Sequence, residues 1–99
     1  MGVRFTRTAV IAAGQRDEAL AFAAEVKSYV EEHFGTPVTW GLQLGGTLGK
    51  IHWYSDYENL AEFEKLLGQT MTDEGYTKLI ASAGDLFAAA PEDTLVYTM

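Results

Sequence analysis

One histidine, in the stretch Lys50-Ile51-His52-Trp53-Tyr54, is the side chain best placed to do chemistry. Imidazole titrates near neutral pH, so it can take up or release a proton or serve as a ligand. Two residues on, the Tyr54 phenol can hydrogen-bond a substrate oxygen, and strand alternation sets it on the same face as His52. The same reading of two other segments adds Thr6, Thr8 and Gln43 to this face. His52 is therefore the candidate catalytic residue, and Thr6, Thr8, Gln43 and Tyr54 are the candidate ligand-binding residues. Hydroxyls, an amide, an imidazole and a phenol together suit a pocket that orients a molecule with one or two oxygens. The competing account is that these groups bond each other or water across an interface, because buried polar groups need partners.

The remaining chemistry-bearing residues have plainer explanations. His33 falls near the end of a helical stretch, where a cation offsets the dipole. Two histidines on separate elements, without an acidic partner at ligand spacing, make no metal site, and neither metal nor cofactor is expected. Trp40 and Trp53 alternate with aliphatic residues and read as core. Gly41, Gly45, Gly46 and Gly49 lack the Lys-Ser/Thr and the following helix of a phosphate loop; they suit a tight turn and close strand approach. Glu58, Glu62 and Glu64 read as a solvated helix face.

Composition narrows the function classes. The chain has 99 residues, enough for one domain spanning 1–99. Its 14 acidic and 7 basic residues give a formal charge of -7, a field that repels phosphate backbones and anionic lipids. Neither nucleic acid nor membrane is expected as a partner. The absence of cysteine excludes disulfides and thiolate chemistry and fits a reducing cytoplasm. No secretory signal is read at the N-terminus, and no apolar run approaches the roughly 18 residues of a membrane span.

The elements that must hold the candidate residues follow from periodicity. Residues 3–12 alternate as a strand, with Val3, Phe5, Ala9 and Ile11 on one face and Arg4, Thr6 and Thr8 on the other. Asp17 and Glu18 open a helix running to about His33, its apolar stripe made by Ala19, Phe22, Ala23, Val26, Val30 and Phe34. Gly35 and Pro37 end it. Residues 38–45 and 48–54 alternate again, and Gly45-Gly46 with Thr47 signals a hairpin between them. Ser55-Asp56-Tyr57-Glu58 fits a capping box for a second helix carrying Tyr57, Leu60, Phe63, Leu67 and Met71. Gly68 to Thr72 interrupts this helix, Thr72-Asp73-Glu74 caps a second piece, and that piece continues its stripe through Leu79 and Ile80 to Phe87. Residues 94–98 form the last strand.

This order, β-α-β-β-α-β, predicts an α+β domain of ferredoxin-like type, a four-stranded antiparallel sheet with helices on one face. Strands one and three, read as parallel neighbours, lie in the middle. Phe5, Ile11, Trp40, Leu42, Ile51 and Trp53 face the helices, with Trp53 against Phe63 or Leu67 of the second helix; Arg4, Thr6, Thr8, Thr39, Gln43, Lys50, His52 and Tyr54 face away. A sheet covered on one side leaves Val10, Leu48 and Tyr54 in water, which predicts a homodimer formed through the sheets.

The stretch LGKIHWYSDYENLAEFEKLLGQTMTDEGYTKLI, a strand ending in aromatics, a capped helix and a short helix opened by Asp-Glu, resembles the second half of dimeric α/β-barrel proteins. Within that superfamily it is most similar to NIPSNAP-like and antibiotic-biosynthesis-monooxygenase-like domains. The resemblance implies homodimers whose sheets pack into a barrel, often around an apolar ligand cavity. Members range from cofactor-independent oxygenases and haem-degrading enzymes to isomerases. No subfamily's catalytic signature carries over to residues of this chain. Two functions are therefore expected: a dimeric protein that binds a small hydrophobic molecule in or beside the sheet, or a cofactor-independent monooxygenase or isomerase acting on a hydrophobic, cyclic substrate in a pocket between sheet and helices, with His52 for proton transfer.

Overall fold

The computed structural model describes residues 1–46 and 48–99; Thr47, the last residue of the hairpin signal, lies outside them. Four strands make one sheet in the order β2-β3-β1-β4, built from β1 (Gly2–Val10), β2 (Thr39–Leu42), β3 (Lys50–Tyr57) and β4 (Glu92–Thr98). The architecture is the expected α+β, ferredoxin-like one. All three strand pairs are antiparallel, so β1 and β3 are central neighbours but run in opposite directions, not in parallel as expected from the sequence. The topology requires this, because a crossover through a helix returns β2 parallel to β1 with β3 between them.

α1 (Arg16–Phe34) begins with Asp17 and Glu18 at the positive end of its dipole. It ends at Gly35, whose φ of 67° lies in the left-handed region and whose N–H donates to the Glu31 carbonyl. Its stripe buries Ala19, Phe22, Ala23, Val26 and Val30 against the sheet. Lys27 Nζ donates to Glu31 Oε2 at 2.8 Å and to the Val38 carbonyl at 2.6 Å, and Val38 N–H donates to the same carboxylate, which fixes the chain entering β2.

The second helical region is two pieces, α2 (Leu60–Thr72) and α3 (Glu74–Ala81). α2 runs unbroken through Gly68 to Thr72, where an interruption was expected, because tolerable helix formers flank the single glycine. The break falls only at Asp73, whose carboxylate accepts the Tyr76 N–H at 2.8 Å, the second cap expected from the sequence. The first cap is not the expected one. β3 runs three residues past Tyr54, Ser55 is a buried strand residue, and Asn59 caps α2 by accepting the Glu62 N–H at 3.0 Å. Phe87 lies beyond α3, in a segment bridged to Ile11. β2 stops at Leu42, so Leu44 projects into solvent rather than continuing the inner row.

The two faces divide nearly as alternation requires. Ile51 and Trp53 are buried under the helices, with Phe5, Ile11, Trp40 and Leu42 half-buried on the same side. Trp53, however, packs beneath α1: its indole N–H donates to the Ala23 carbonyl at 3.2 Å, and its ring meets Phe22 and Phe87 edge-on. Phe63 instead contacts Phe5 and Tyr57, with ring centroids 5.3 and 5.4 Å apart. No helix among the described residues is long and apolar enough to cross a membrane.

Candidate functional site

The five site residues read from the sequence meet on the outer sheet face. The β1–β3 register sets Thr8 opposite His52 and Thr6 opposite Tyr54. His52 Nδ1 and Thr8 Oγ1 are 2.8 Å apart, and His52 Nε2 lies 2.7 Å from Gln43 Oε1. The Gln43 amide nitrogen donates to the Gly45 carbonyl, so its oxygen is the atom facing the imidazole. Nε2–H then donates to Gln43, and Nδ1 accepts from the Thr8 hydroxyl. This arrangement satisfies a neutral imidazole at both nitrogens, and proton transfer by His52 requires one of these partners to be exchanged for a ligand atom. Tyr54 lies under the Arg4 guanidinium, 4.6 Å from its ring centroid, while Arg4 grips Asp56 through two bonds of 2.8 and 2.9 Å. A shallow hollow of about 410 Å³ opens here, lined by Thr6, Thr39, Trp40, Gly41, His52 and Tyr54 among others.

His33 is not part of this face. It is exposed at the end of α1, where it stacks on Tyr29 with centroids 3.8 Å apart and bonds the Tyr29 carbonyl. Among the described residues, no group of three or more His, Cys, Asp or Glu could hold a metal ion.

A larger cavity of about 660 Å³ lies on the opposite side, between the sheet, α1 and the α2–α3 layer. The sheet–helix pocket expected to contain His52 does not contain it, because His52 alternates onto the outer face. Phe5, Trp53, Phe63, Leu66, Met71 and Phe87 contribute to a mostly apolar wall. Three polar side chains of the sheet, Arg7, Ser55 and Tyr57, also line it. Ser55 Oγ and Tyr57 Oη share a hydrogen bond of 2.8 Å. Burial pushes the Tyr57 phenol above its ordinary pKa, with the Ser55 bond opposing, so the group is a neutral hydrogen-bond donor at physiological pH. Arg7 is held by Asp93 of β4 through bonds of 2.8 Å from Nε and 2.9 Å from Nη2. The Asp93 carboxylate raises the guanidinium pKa further, against the effect of burial.

The sequence carried signals for these three polar groups. Arg7 falls in the inner row between Phe5 and Ala9, where a charge requires a partner. Ser55 and Tyr57 continue the Ile51, Trp53 row. They were obscured because Ser55 doubles as a plausible helix cap, which ends the strand three residues early.

No protein-family model matches the sequence, and no curated protein matches it. Solved structures do match its fold. A NIPSNAP family protein from Agrobacterium tumefaciens aligns with a TM-score of 0.82 at 16% identity, covering 100% of this chain and 94% of its own. An uncharacterized NIPSNAP-like domain protein from Burkholderia xenovorans aligns with a TM-score of 0.81 at 8% identity, covering 99% and 85%. A mutant of SnoaB, a cofactor-independent oxygenase from Streptomyces nogalater, aligns with a TM-score of 0.71 at 13% identity, covering 98% and 92%. The chain thus has the ferredoxin-like fold shared by NIPSNAP-like and antibiotic-biosynthesis-monooxygenase-like domains.

Proposed function

We propose that this protein binds a small, largely apolar molecule bearing one or two oxygens in the cavity between the sheet and the α2–α3 layer, and that it acts as a cytoplasmic homodimer joined through the outer sheet faces. The observation that carries the binding reading is the composition of the cavity: about 660 Å³ of mainly aromatic and aliphatic wall, with Arg7, Ser55 and Tyr57 among its polar sheet residues. Apolar walls supply affinity, and a few fixed polar groups supply orientation. A phenol kept neutral by burial donates to a carbonyl or hydroxyl oxygen. Titration of ¹⁵N-labelled protein with 2-naphthol should shift amides of β1, β3 and α3 that surround the cavity. Shifts confined to the outer face would overturn the assignment.

The dimer reading is supported by the outer face itself. Val10 and Leu48 are exposed there or beside it, and the Thr8–His52–Gln43 chain is already internally bonded, so its burial leaves few polar groups unmatched. Light scattering at micromolar concentration should return the mass of two chains; a single-chain mass would sink it.

A second reading sets the ligand in the outer hollow, where His52 lies beside Thr6 and Tyr54. There the chain would act as a cofactor-independent monooxygenase or isomerase with His52 moving the proton, in keeping with its likeness in fold to SnoaB. His52→Ala separates the two. Lost turnover with an unchanged dimer supports this reading; a looser dimer with intact naphthol binding removes it.

A further inference from the structure

We propose that Asp93 sets the charge selectivity of the cavity: by neutralising Arg7 it makes the site accept uncharged, oxygen-bearing ring compounds and turn away carboxylates and other anions. This rests on the reading of the cavity as a ligand site. Arg7 is the one charged side chain among the described lining residues. An unpaired guanidinium in such a wall would be an anion receptor, because its fork of donors matches a carboxylate. Here the fork is already occupied. Both Nε and Nη2 donate to Asp93, and the β1–β4 register sets Arg7 directly opposite Asp93, so the backbone ladder itself aligns the pair. The same device occurs on the outer face, where Arg4 stands opposite Asp56 and is gripped in the same two-pronged way. Only the Arg7 pair borders the cavity.

Asp93 does not itself line the cavity, so it acts from behind the arginine. The remaining polar groups of the lining (Ser55, Tyr57 and Tyr76 are the ones closest in kind) are hydroxyls without charge. A bound anion would have to compete with Asp93 for the guanidinium and approach a chain of net charge -7. A neutral carbonyl or hydroxyl compound pays neither penalty and still finds a phenol donor.

The test uses 2-naphthol and 2-naphthoate, which share a ring system and differ in charge at pH 7, titrated into the ¹⁵N-labelled 99-residue chain. The wild type should bind naphthol about tenfold or more tightly than naphthoate, the size of effect expected of one charge-assisted contact. Asp93→Asn keeps the shape and one acceptor of the side chain but removes its charge. It should tighten naphthoate by about tenfold while leaving naphthol nearly unchanged. The double variant Arg7→Met/Asp93→Asn should lose that gain and keep naphthol. Melting curves of each variant confirm that the fold is intact, and Asp93→Ser replaces Asp93→Asn if the latter melts early. If both probes bind in the cavity but their ratio is the same in the wild type and the Asp93 variants, the selectivity role is wrong and the cavity reading stands. If neither probe shifts the cavity amides in any variant, the cavity is not a ligand site and the inference falls with it.

Discussion

α1 and α2 carry the same kind of apolar stripe and put it to different uses. α1 buries five residues on the sheet, and its Ala23 carbonyl accepts the Trp53 indole N–H. α2 buries none. Its N-terminal half is held by Phe63, wedged between Phe5 and Tyr57, and its C-terminal end stops at Asp73. Between those points Leu66, Leu67, Thr70 and Met71 line the cavity. The stripe of a helix therefore dictates which way it faces, but not whether it lands on packed core or roofs a space. On the α1 side Phe22, Trp53 and Phe87 meet edge-on and form one wall of the cavity; α2 buries no side chain and only borders the open space.

The sharpest way to break this contrast is to truncate Trp53 beneath α1. Trp53→Ala should cost about 3–5 kcal/mol, the range for large aromatic truncations in cores. Chemical denaturation measures it. A loss below about 1 kcal/mol would mean that the α1 side is as loosely packed as the α2 side.

The next largest effect tests how the α2–α3 layer is fastened to α1. Tyr29 of α1 donates its hydroxyl to Asp73 at the break between α2 and α3. A Cβ added at Gly75 would run into that hydroxyl and approach Tyr29 Cζ to 3.0 Å. The Tyr29 ring cannot swing clear easily, being stacked on His33 and flanked by Phe34 and Tyr76. Gly75→Ala should therefore cost about 1–3 kcal/mol, as overpacking does. Adding Tyr29→Phe removes the closest clashing atom, so the double variant should be more stable than the sum of the single losses. Strict additivity in denaturation midpoints would show that the fastening is not where the geometry puts it.

A smaller effect is expected within the roof itself. Leu67, 44% exposed, should tolerate Ala at a cost of less than about 1 kcal/mol, because it borders a space rather than filling one. A cost like that of Trp53→Ala would mean that α2 is clamped down and the cavity closed in solution.

Much of this architecture was legible in the sequence because periodicity speaks directly about faces. The β-α-β-β-α-β order, the two-piece second helix and the outer row of Thr6, Thr8, His52 and Tyr54 all rest on period-2 or period-3.6 patterns. What alternation leaves open is what lies opposite a face. Trp53 was rightly turned inward, yet its partners come from α1 and from the segment around Phe87, which no local pattern specifies. A pocket between sheet and helices was expected, but its size and lining were not legible, since a space is set by the height of a helix above a sheet, and His52 faces away from it. Its polar groups were nearer to hand: Arg7 interrupts an apolar row, and Ser55 and Tyr57 continue one. A competing local rule, the capping box, obscured the last two.

The smallest expected effect is a pH dependence of the fastening at Asp73, and its sign can be worked out. The Tyr29 hydroxyl holds the Asp73 carboxyl below the usual aspartate range, helped by the Tyr76 N–H and by the nearby His33. The same bond holds the Tyr29 phenol above its ordinary value, because ionising it would break the donation to Asp73. For a carboxyl whose folded pKa is depressed, the stabilisation is complete above the unfolded value of about 3.9 and is lost as pH falls through the lower folded value. For a phenol whose folded pKa is raised, it is complete below about 10 and is lost as pH rises through the higher folded value. The link therefore holds undiminished across neutrality and weakens only at the two extremes. Asp73→Asn can still cap α3 and accept from Tyr29, but it has no proton to gain. The melting temperature of the wild type relative to Asp73→Asn should thus be constant from pH 7 to about 5 and then shrink as the pH drops below about 4. Because the site is open to solvent, the shift in melting temperature should be small, as exposed charges contribute little. A gap between the two proteins that stays constant down to pH 3 would mean that Asp73 is not held by its charge, and that α2 and α3 are fastened by the aromatic stack of Tyr29, His33, Phe34 and Tyr76 instead.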